Sequence, residues 1–353
     1  MASSWTYAAL PALLVAAALP ASGAAQAAPL GSTPSGSVLD VTPLTSKLDA
    51  SKRHTEFFST SFQAAAGEVR FVGTELVVKD AKRTAPSELF VGVTLSCTSP
   101  SGRVTSAEAG RNVWPAASTF TIPVGFTMQM DVAGTHKCRA DVMMCDPGNC
   151  GSPTGTGVVL IVTRKANPKN YSFLYVTAAL PSWARSSRVP ATGDRLLKSG
   201  QSLAMKGSFD VSGASTPVRV GGIFSITNCI VKAYPTACKG AGKTATQGSS
   251  TVTMSLVLAQ EATIAGTQCA TAKATTADGA GRSRITWQQH HAIFNIYIPD
   301  FELSTDPGCG SQVALTATVT AGKGNAIVVE SGSKAKMTSV IYAIPGDAIP
   351  AGR

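Results

Sequence analysis

Eight cysteines carry the clearest chemical signal in this chain. All of them lie between Cys97 and Cys309, four in each half, and an even number of cysteines in an exported chain predicts disulfide bonds. The CxxC pairs that are typical of a zinc ribbon do not occur in the sequence. We therefore predict a disulfide-reinforced protein with no metal site and no cofactor.

The sequence leaves two pairing schemes open, because spacing alone does not fix connectivity. The local scheme joins the nearest cysteines and consists of Cys145–Cys150, Cys229–Cys238, Cys97–Cys138 and Cys269–Cys309. The shared scheme treats matching cysteines of the two halves alike and consists of Cys138–Cys150, Cys269–Cys309, Cys97–Cys145 and Cys229–Cys238. We favour the shared scheme, because the two halves of the chain resemble each other.

Histidine is the other residue type that could bind a metal or move a proton. His290 and His291 are neighbours, and adjacent side chains of a strand point to opposite faces, so the pair is poorly placed to ligate one metal ion. Trp287 and Tyr297 flank them in a chain that is only 6% aromatic. We predict that these four residues form a ligand-binding site. No catalytic residue is predicted, because the motifs G-x-S-x-G and H-E-x-x-H do not occur.

Strands must position these residues, and the sequence predicts many of them. From Phe120 to Val132 apolar residues alternate with polar ones, which predicts a strand with one buried face. We expect a break near Pro123, because proline cannot join a central ladder. The segment 118–135 aligns without a gap with 250–267, which indicates two copies of one domain.

The predicted fold class is all-β, with two tandem antiparallel β-sandwich domains of immunoglobulin-like architecture that are related by internal duplication. The expected organisation is a signal peptide at 1–27, a flexible leader at 28–44, a first sandwich at 45–180, a linker at 181–200 and a second sandwich at 201–353. The second copy is longer between matching cysteines, so we interpret about 270–304 as an insertion. It contains the four candidate ligand-binding residues.

The N-terminal segment predicts export. Residues 1–28 contain no charged side chain, their apolar run is too short to span a bilayer, and Ala25-Gln26-Ala27 fits a signal-peptide cleavage site. The protein is then secreted, periplasmic or exposed on a cell surface, with no transmembrane segment in the mature chain. The formal net charge of +10 is spread along the chain without a basic run, which argues against nucleic acid as a partner.

These observations favour a non-catalytic exported protein that serves in structure, adhesion or surface assembly, with itself or another surface protein as the partner. The first alternative is a carbohydrate- or cell-wall-binding protein that uses the second-domain insertion, and a mildly basic surface suits an acidic glycan or cell-wall polymer. The second alternative is a secreted hydrolase with dispersed carboxylates. A polysaccharide array, microscopy of the purified protein and metal analysis distinguish the three.

Overall fold

The computed structural model describes residues 37–39, 47–49, 54–83, 89–113, 120–145, 157–161, 173–214, 217–230, 238–241, 248–276, 284–287, 290–332 and 337–348. Nearly all of them belong to antiparallel strands or to the turns between them, and the one helix in these ranges is a short 3-10 turn at Gly346–Ala348. The predicted signal peptide lies outside the described residues.

The first sandwich consists of two sheets. Sheet A contains β1 (Ser37–Leu39), β2 (Lys47–Asp49), β4 (Val69–Arg83), β7 (Phe120–Gln129), β9 (Gly157–Ile161) and β10 (Phe173–Val176). Sheet B contains β3 (His54–Ala64), β5 (Leu89–Thr98), β6 (Val104–Val113) and β8 (Gly134–Cys145).

The second sandwich is built in the same way. Sheet C contains β11 (Arg185–Val189), β12 (Arg195–Leu197), β14 (Val218–Asn228), β18 (His291–Phe301), β20 (Ile327–Val329) and β21 (Ser339–Pro345). Sheet D contains β13 (Ser202–Asp210), β15 (Ser250–Ala262), β16 (Thr271–Thr275), β17 (Arg284–Ile285) and β19 (Cys309–Gly324).

Both sandwiches have the same strand order. In sheet A, β7 pairs with one side of β4, β9 and β10 pair with the other side, and β2 and β1 pair with β9 and β10 in turn. Sheet C repeats this arrangement with β18 and β14, then β20 and β21, then β12 and β11. Sheet B runs β3-β8-β5-β6, and sheet D runs β13-β19-β15 with β16 and β17 along its edge.

This order is that of a jelly roll, in which the chain passes back and forth between two facing sheets. The prediction of two tandem antiparallel β-sandwiches related by internal duplication is confirmed, and the jelly roll specifies the strand order more closely. The alignment that suggested the duplication is wrong in detail. It matches β7 in 118–135 with β15 in 250–267, whereas the counterpart of β15 is β5. Any two half-buried strands share alternating apolar and polar residues, wherever they lie in a sheet.

The topology also corrects the interpretation of 270–304 as an insertion. That range contains β16, β17 and β18, which are the counterparts of β6 and β7 in the first sandwich. β1 lies within the range predicted as a leader, and β11 and β12 lie within the range predicted as a linker. The domain boundaries stay a prediction, and the strand pairing favours a junction between β10 and β11.

Alternating burial builds the two cores. In β7, Ile122, Val124, Phe126 and Met128 are buried, as the pattern predicts. The strand has no break at Pro123, which pairs with Glu75 of β4. Proline is tolerated there because β7 is the edge strand of sheet A, so one side of its backbone needs no ladder donor.

A glycine beneath a tyrosine occupies the same place in both sandwiches. Gly73 of β4 is opposite Tyr175 of β10, and Gly221 of β14 is opposite Tyr342 of β21. A Cβ atom at either glycine would overlap the ring of its tyrosine. The two copies therefore share a packing detail as well as a strand order.

Three disulfides lie within the described residues, and they are Cys97–Cys138, Cys229–Cys238 and Cys269–Cys309. The shared scheme that we favour is wrong, because Cys97 pairs with Cys138 rather than Cys145. The two residues are directly opposite on β5 and β8, with their Cα atoms 4.0 Å apart. All three bonds belong to the local scheme. Cys150 lies outside the described residues, so its pairing with Cys145 stays a prediction.

Candidate functional site

The four predicted ligand-binding residues do not form one site. His290 and His291 are buried, whereas Tyr297 is 41% exposed and Trp287 is half-buried. His291 and Tyr297 are six residues apart on β18, which is about 20 Å along a strand. The binding site proposed from the sequence is therefore divided into a buried end and an open end.

Both ends belong to the face of β18 that is turned toward the first sandwich. Ile293, which shares this face with His291 and Tyr297, packs against the core of the first sandwich. At the buried end, the ring of His291 meets the ring of Phe90 from β5 edge-on, with centroids 5.7 Å apart. The histidines are thus part of the joint between the two sandwiches.

A buried polar cluster lies at this joint. Thr227 of β14 is directly opposite His291, and its Oγ1 atom is 2.6 Å from His291 Nδ1. The same hydroxyl donates a hydrogen bond to Oε1 of Glu330, which follows β20, and this carboxylate oxygen is 3.5 Å from His291 Nδ1. We name Thr227, His291 and Glu330 the joint cluster; each is at most 4% exposed.

Hydrogen bonds tie the joint cluster to the first sandwich. The backbone N–H of His291 donates to Oδ1 of Asn112 on β6 at 2.7 Å. Elsewhere on β6, the backbone carbonyl of Glu108 accepts a hydrogen bond from the backbone N–H of Thr338 at 2.7 Å. The backbone N–H of Glu108 donates to the Thr338 hydroxyl. Two residues of one strand therefore hold the second sandwich through its backbone.

Burial sets the protonation states of the joint cluster. Desolvation raises the pKa of Glu330 to about 8, and the neighbouring carboxylates of Asp194 and Glu108 add to the rise. Desolvation, and then the nearby His290, hold the pKa of His291 well below its ordinary value. Near pH 7 the cluster therefore contains a protonated carboxyl and a neutral imidazole.

A hydroxyl, an imidazole and a carboxyl are the groups of a hydrolase triad, but their order here is different. In a triad the histidine lies between the hydroxyl and the acid, whereas here the hydroxyl of Thr227 contacts both Glu330 and His291. Thr227 is 1% exposed, so a substrate has no access to its oxygen in this conformation. The arrangement fits a structural role.

The open end of the β18 face forms a shallow cleft between the sandwiches. Its lining includes Phe71, Glu75, Tyr175, Asn295, Tyr297 and Tyr342. The ring of Phe71 lies between the two tyrosines that cover the paired glycines, 5.9 Å from Tyr175 and 5.1 Å from Tyr342. The cleft has a volume of about 30 Å³, which is about that of one water molecule. A larger ligand would have to bind at the mouth of the cleft.

Tyr297 is the accessible aromatic residue of the cleft. The guanidinium of the buried Arg219 lies over its ring, 5.9 Å from the centroid. Burial raises the pKa of Tyr342 to about 12, so its hydroxyl stays protonated at neutral pH. The mouth of the cleft therefore offers a ring face and several hydrogen-bonding groups.

A second groove lies on the outer face of sheet B. It has a volume of about 480 Å³ and is lined by Glu56, Thr94, Arg139 and Asp141. Arg139 and Asp141 form an ion pair at 2.9 Å. In the described ranges, no His, Cys, Asp and Glu side chains are grouped closely enough to bind a metal ion, and no helix has the length and hydropathy to cross a membrane.

Sequence reasoning missed Thr227, Glu330 and Asn112, which complete the surroundings of His291. Glu330 ends the apolar run Ala326-Ile327-Val328-Val329, and an acid directly after such a run was the available signal. Which histidine it would meet depends on contacts between distant strands, and a strand pattern does not contain this information.

No family model and no curated protein matches the sequence. Among solved structures, the chain is similar to the N-terminal CBM22-1-CBM22-2 tandem domain of Paenibacillus barcinonensis Xyn10C, with 10% identity over 83% of this chain and 85% of that chain, at a TM-score of 0.22. It is also similar to a chain of Sulfolobus Turreted Icosahedral Virus, with 10% identity over 83% of this chain and 58% of that chain, at a TM-score of 0.19.

A chain of infectious bursal disease virus, Gt strain, is 13% identical over 90% of this chain and 77% of that chain, at a TM-score of 0.24. Likenesses at these TM-scores carry no argument about what the protein binds or does. The fold assignment rests on the strand order described above.

Proposed function

We propose that this protein is a non-catalytic, exported building block of a surface assembly. One observation carries the proposal: the residues best suited to chemistry, His291, Thr227 and Glu330, are buried where the two sandwiches meet. A protein that uses such residues to join its two halves is built to keep a fixed shape. Shape is what an assembly subunit must present to its neighbours.

Apolar and polar contacts support a rigid joint. Val69 and Phe71 of the first sandwich belong to the hydrophobic core of the second. On β7, the N–H of Thr127 donates to the hydroxyl of Ser186 on β11 at 2.7 Å. These contacts lie near the open cleft, and the hydrogen bond from His291 to Asn112 lies at the buried end, so the sandwiches are held along the length of the joint.

Strand edges are the proposed assembly surfaces. β3 and β13 are corresponding edge strands of sheets B and D, and neither pairs with a second strand within the described residues. They are 11 and 9 residues long, which is enough for an added strand to form a stable ladder. Each copy would thus offer one long edge to a neighbouring subunit.

Export is the second part of the proposal. The uncharged N-terminal segment has the features of a signal peptide, and disulfides persist in oxidising compartments. We expect the secreted protein to begin at Ala28, which N-terminal sequencing of culture supernatant tests. A chain that is retained in the cytoplasm with its thiols reduced contradicts export.

Assembly is tested by light scattering coupled to size-exclusion chromatography, and by electron microscopy, on the purified chain at rising concentration. We expect ordered oligomers, and a single lysine on an edge, Ser61→Lys or Ser208→Lys, to reduce them without lowering thermal stability. Val104→Lys is the matched control, because Val104 is 60% exposed and lies on neither β3 nor β13. Monomers under every condition contradict the proposal.

Glycan binding is a second candidate, and the exposed ring of Tyr297 at the mouth of the cleft favours it. A sugar could stack on Tyr297 and bond to Asn295 or Glu75, which line the same cleft. An array of neutral and acidic polysaccharides tests this. We expect Tyr297→Ala to abolish binding and Val104→Ala to leave it unchanged. Equal loss in Trp287→Ala would extend the site to the residue predicted from the sequence.

A further inference from the structure

The carboxyl group of Glu330 lies directly behind the contacts that join the sandwiches. It is fully buried and reaches His291 through the hydroxyl of Thr227. The backbone of His291 in turn donates to Asn112 of the first sandwich. One short chain of hydrogen bonds therefore connects this acid to the opposite side of the joint.

A second chain of hydrogen bonds leaves the backbone of the same residue. The carbonyl of Glu330 accepts from the N–H of Ser339 at 2.8 Å. The preceding residue, Thr338, exchanges hydrogen bonds with Glu108 of the first sandwich. Asn112 and Glu108 both belong to β6, so a displacement of Glu330 disturbs two anchors on one strand.

We propose that a single proton, held on the buried carboxyl of Glu330, keeps the two sandwiches closed against each other, and that loss of this proton loosens the joint. The proposal concerns the single chain and goes beyond assembly, so it can fail or succeed whether or not the protein forms oligomers.

The surroundings of the carboxyl favour its neutral form. Its Oε2 atom is buried and has no hydrogen-bond partner among the described residues, so a negative charge there would lack a donor. Thr227 has only one hydrogen to donate. Two further acids lie nearby, Asp194 before β12 and Glu108 on β6. Both disfavour a negative charge on Glu330.

His291 faces this carboxyl from β18, and His290 lies beside His291. Both are buried, with ring centroids 4.4 Å apart. Burial keeps His291 neutral, as its lowered pKa indicates, so it supplies no positive charge to stabilise an ionised Glu330. The joint cluster therefore stays uncharged only while the acid keeps its proton.

The direction of the pH dependence follows from the shifted pKa values of Glu330 and His291. The raised pKa of Glu330 means that stability is lost as pH rises from the ordinary value of 4.5 toward about 8. The lowered pKa of His291 means that stability is lost as pH falls below its ordinary value of 6.5. Below pH 6.5 the two effects oppose each other, because a rise in pH costs stability at Glu330 and restores it at His291. Well above pH 6.5 only the loss from Glu330 remains, at up to about tenfold in the folding constant per pH unit.

The test is urea unfolding of the full chain from pH 5 to 9.5. For the wild type we expect a folding constant that falls about tenfold between pH 6.5 and 8 and changes less steeply below pH 6.5. Glu330→Gln keeps the shape and removes the titrating proton. We expect it to lose the fall above pH 6.5 and to show a decline below 6.5, which the glutamate masks in the wild type.

The matched control is Glu302→Gln, an exposed acid just after β18, which should follow the wild-type curve. A wild-type slope in Glu330→Gln, or a level wild-type curve above pH 6.5, overturns the proposal. If Glu330→Gln does not fold, infrared spectra of the wild type decide. A protonated carboxyl band must persist at pH 6.5 and vanish above pH 8, and its absence overturns the proposal.

Small-angle scattering locates the change at the joint. At pH 9 we expect the wild type to have a larger radius of gyration than at pH 6, while its circular dichroism spectrum keeps the full strand signal. Glu330→Gln should keep one radius at both pH values. A wild type whose radius does not change shows that the proton affects folding without opening the joint, and this overturns the proposal.

Discussion

The outer faces of sheets B and D occupy corresponding places in the two copies but present different chemistry. Across sheet B, one row places Glu56 opposite Asp141, with Arg139 beside them in the groove. Across sheet D, the outward positions of β19 are Thr316, Thr318 and Thr320, and they are opposite other small or hydroxyl residues in most rows. One face is charged and grooved, whereas the other is mostly uncharged.

Where sheets A and C meet at the cleft between the sandwiches, the two copies have diverged far less. Gly73 beneath Tyr175 and Gly221 beneath Tyr342 repeat the same packing in both copies. Replacing a core contact opens a cavity or forces an overlap, whereas replacing a surface residue costs little. The comparison therefore indicates that duplication preserved this packing where the copies meet and left the outer faces of sheets B and D and the disulfides to change.

The largest effect is expected from breaking the contact that the two copies share. Phe71 is 1% exposed and lies between Tyr175 and Tyr342, so Phe71→Ala should destabilise the protein by about 3–5 kcal/mol. Calorimetry should also show the single unfolding transition dividing into two. Phe209→Ala is the control, because Phe209 is buried within the second sandwich. It should lower stability and keep one transition; two transitions in both variants contradict a special role for Phe71.

The disulfides should differ between the copies by the size of the loop that each closes. Cys97–Cys138 spans 41 residues and Cys229–Cys238 spans 9. On the chain-entropy account, replacing both cysteines by alanine costs about 4 kcal/mol in the first case and about 2.5 kcal/mol in the second. Urea unfolding of the two double variants measures this order. The reverse order would show that native-state contacts outweigh loop closure.

The paired glycines should be equally sensitive if the copies pack alike. Gly73→Ala and Gly221→Ala each force a methyl group against a tyrosine ring, at a cost of about 1–3 kcal/mol. Gly207→Ala on β13 is the matched control, because a Cβ atom there would have no neighbour within 4 Å. It should be neutral or stabilising by up to about 1 kcal/mol. Thermal melts measure both losses. Unequal losses for Gly73→Ala and Gly221→Ala would show that the two sites pack differently although they share a register.

The smallest effects are expected on the outer faces. Arg139→Ala breaks an ion pair whose arginine is 59% exposed, and Thr318→Ala removes one hydroxyl from sheet D. Each should change the free energy of unfolding by less than about 0.5 kcal/mol. If both variants melt like the wild type, then the difference between the faces serves binding or assembly, and stability does not explain it. A large loss in either one assigns that face to the fold.

Fold class was predictable because alternation is a local property of a strand. The strand order was not, since it depends on pairing between segments far apart in the sequence. Pro123 illustrates the limit: its effect on β7 depends on whether the strand lies at an edge, which is a property of the whole sheet.

The sequence contains a better signal of the duplication than the alignment of 118–135 with 250–267. Ser61-Phe62 and then Val69-Arg70 match Ser208-Phe209 and then Val218-Arg219, and Gly73 and Gly221 follow four and three residues after the valines. These short matches join the end of one strand to the start of the next in both copies. The residues that separate these matches differ in number between the copies, so an alignment without gaps does not detect them.

The candidate site was predictable only in part. The adjacent histidines mark the joint, and Tyr297 marks the cleft, but their burial and their separation along β18 required the tertiary structure. Glu330 gains its importance mainly from desolvation, and burial of a single acid is not encoded in its spacing from any histidine.

The core that Val69 and Phe71 share with the second copy has a consequence for engineering and for evolution. Domains that fold independently can be exchanged between genes without loss of stability. Here a cut between the copies would leave an aromatic side chain of one half facing water and a hole in the other. Grafts should therefore be attached at the ends of the chain, and natural relatives should inherit both copies together.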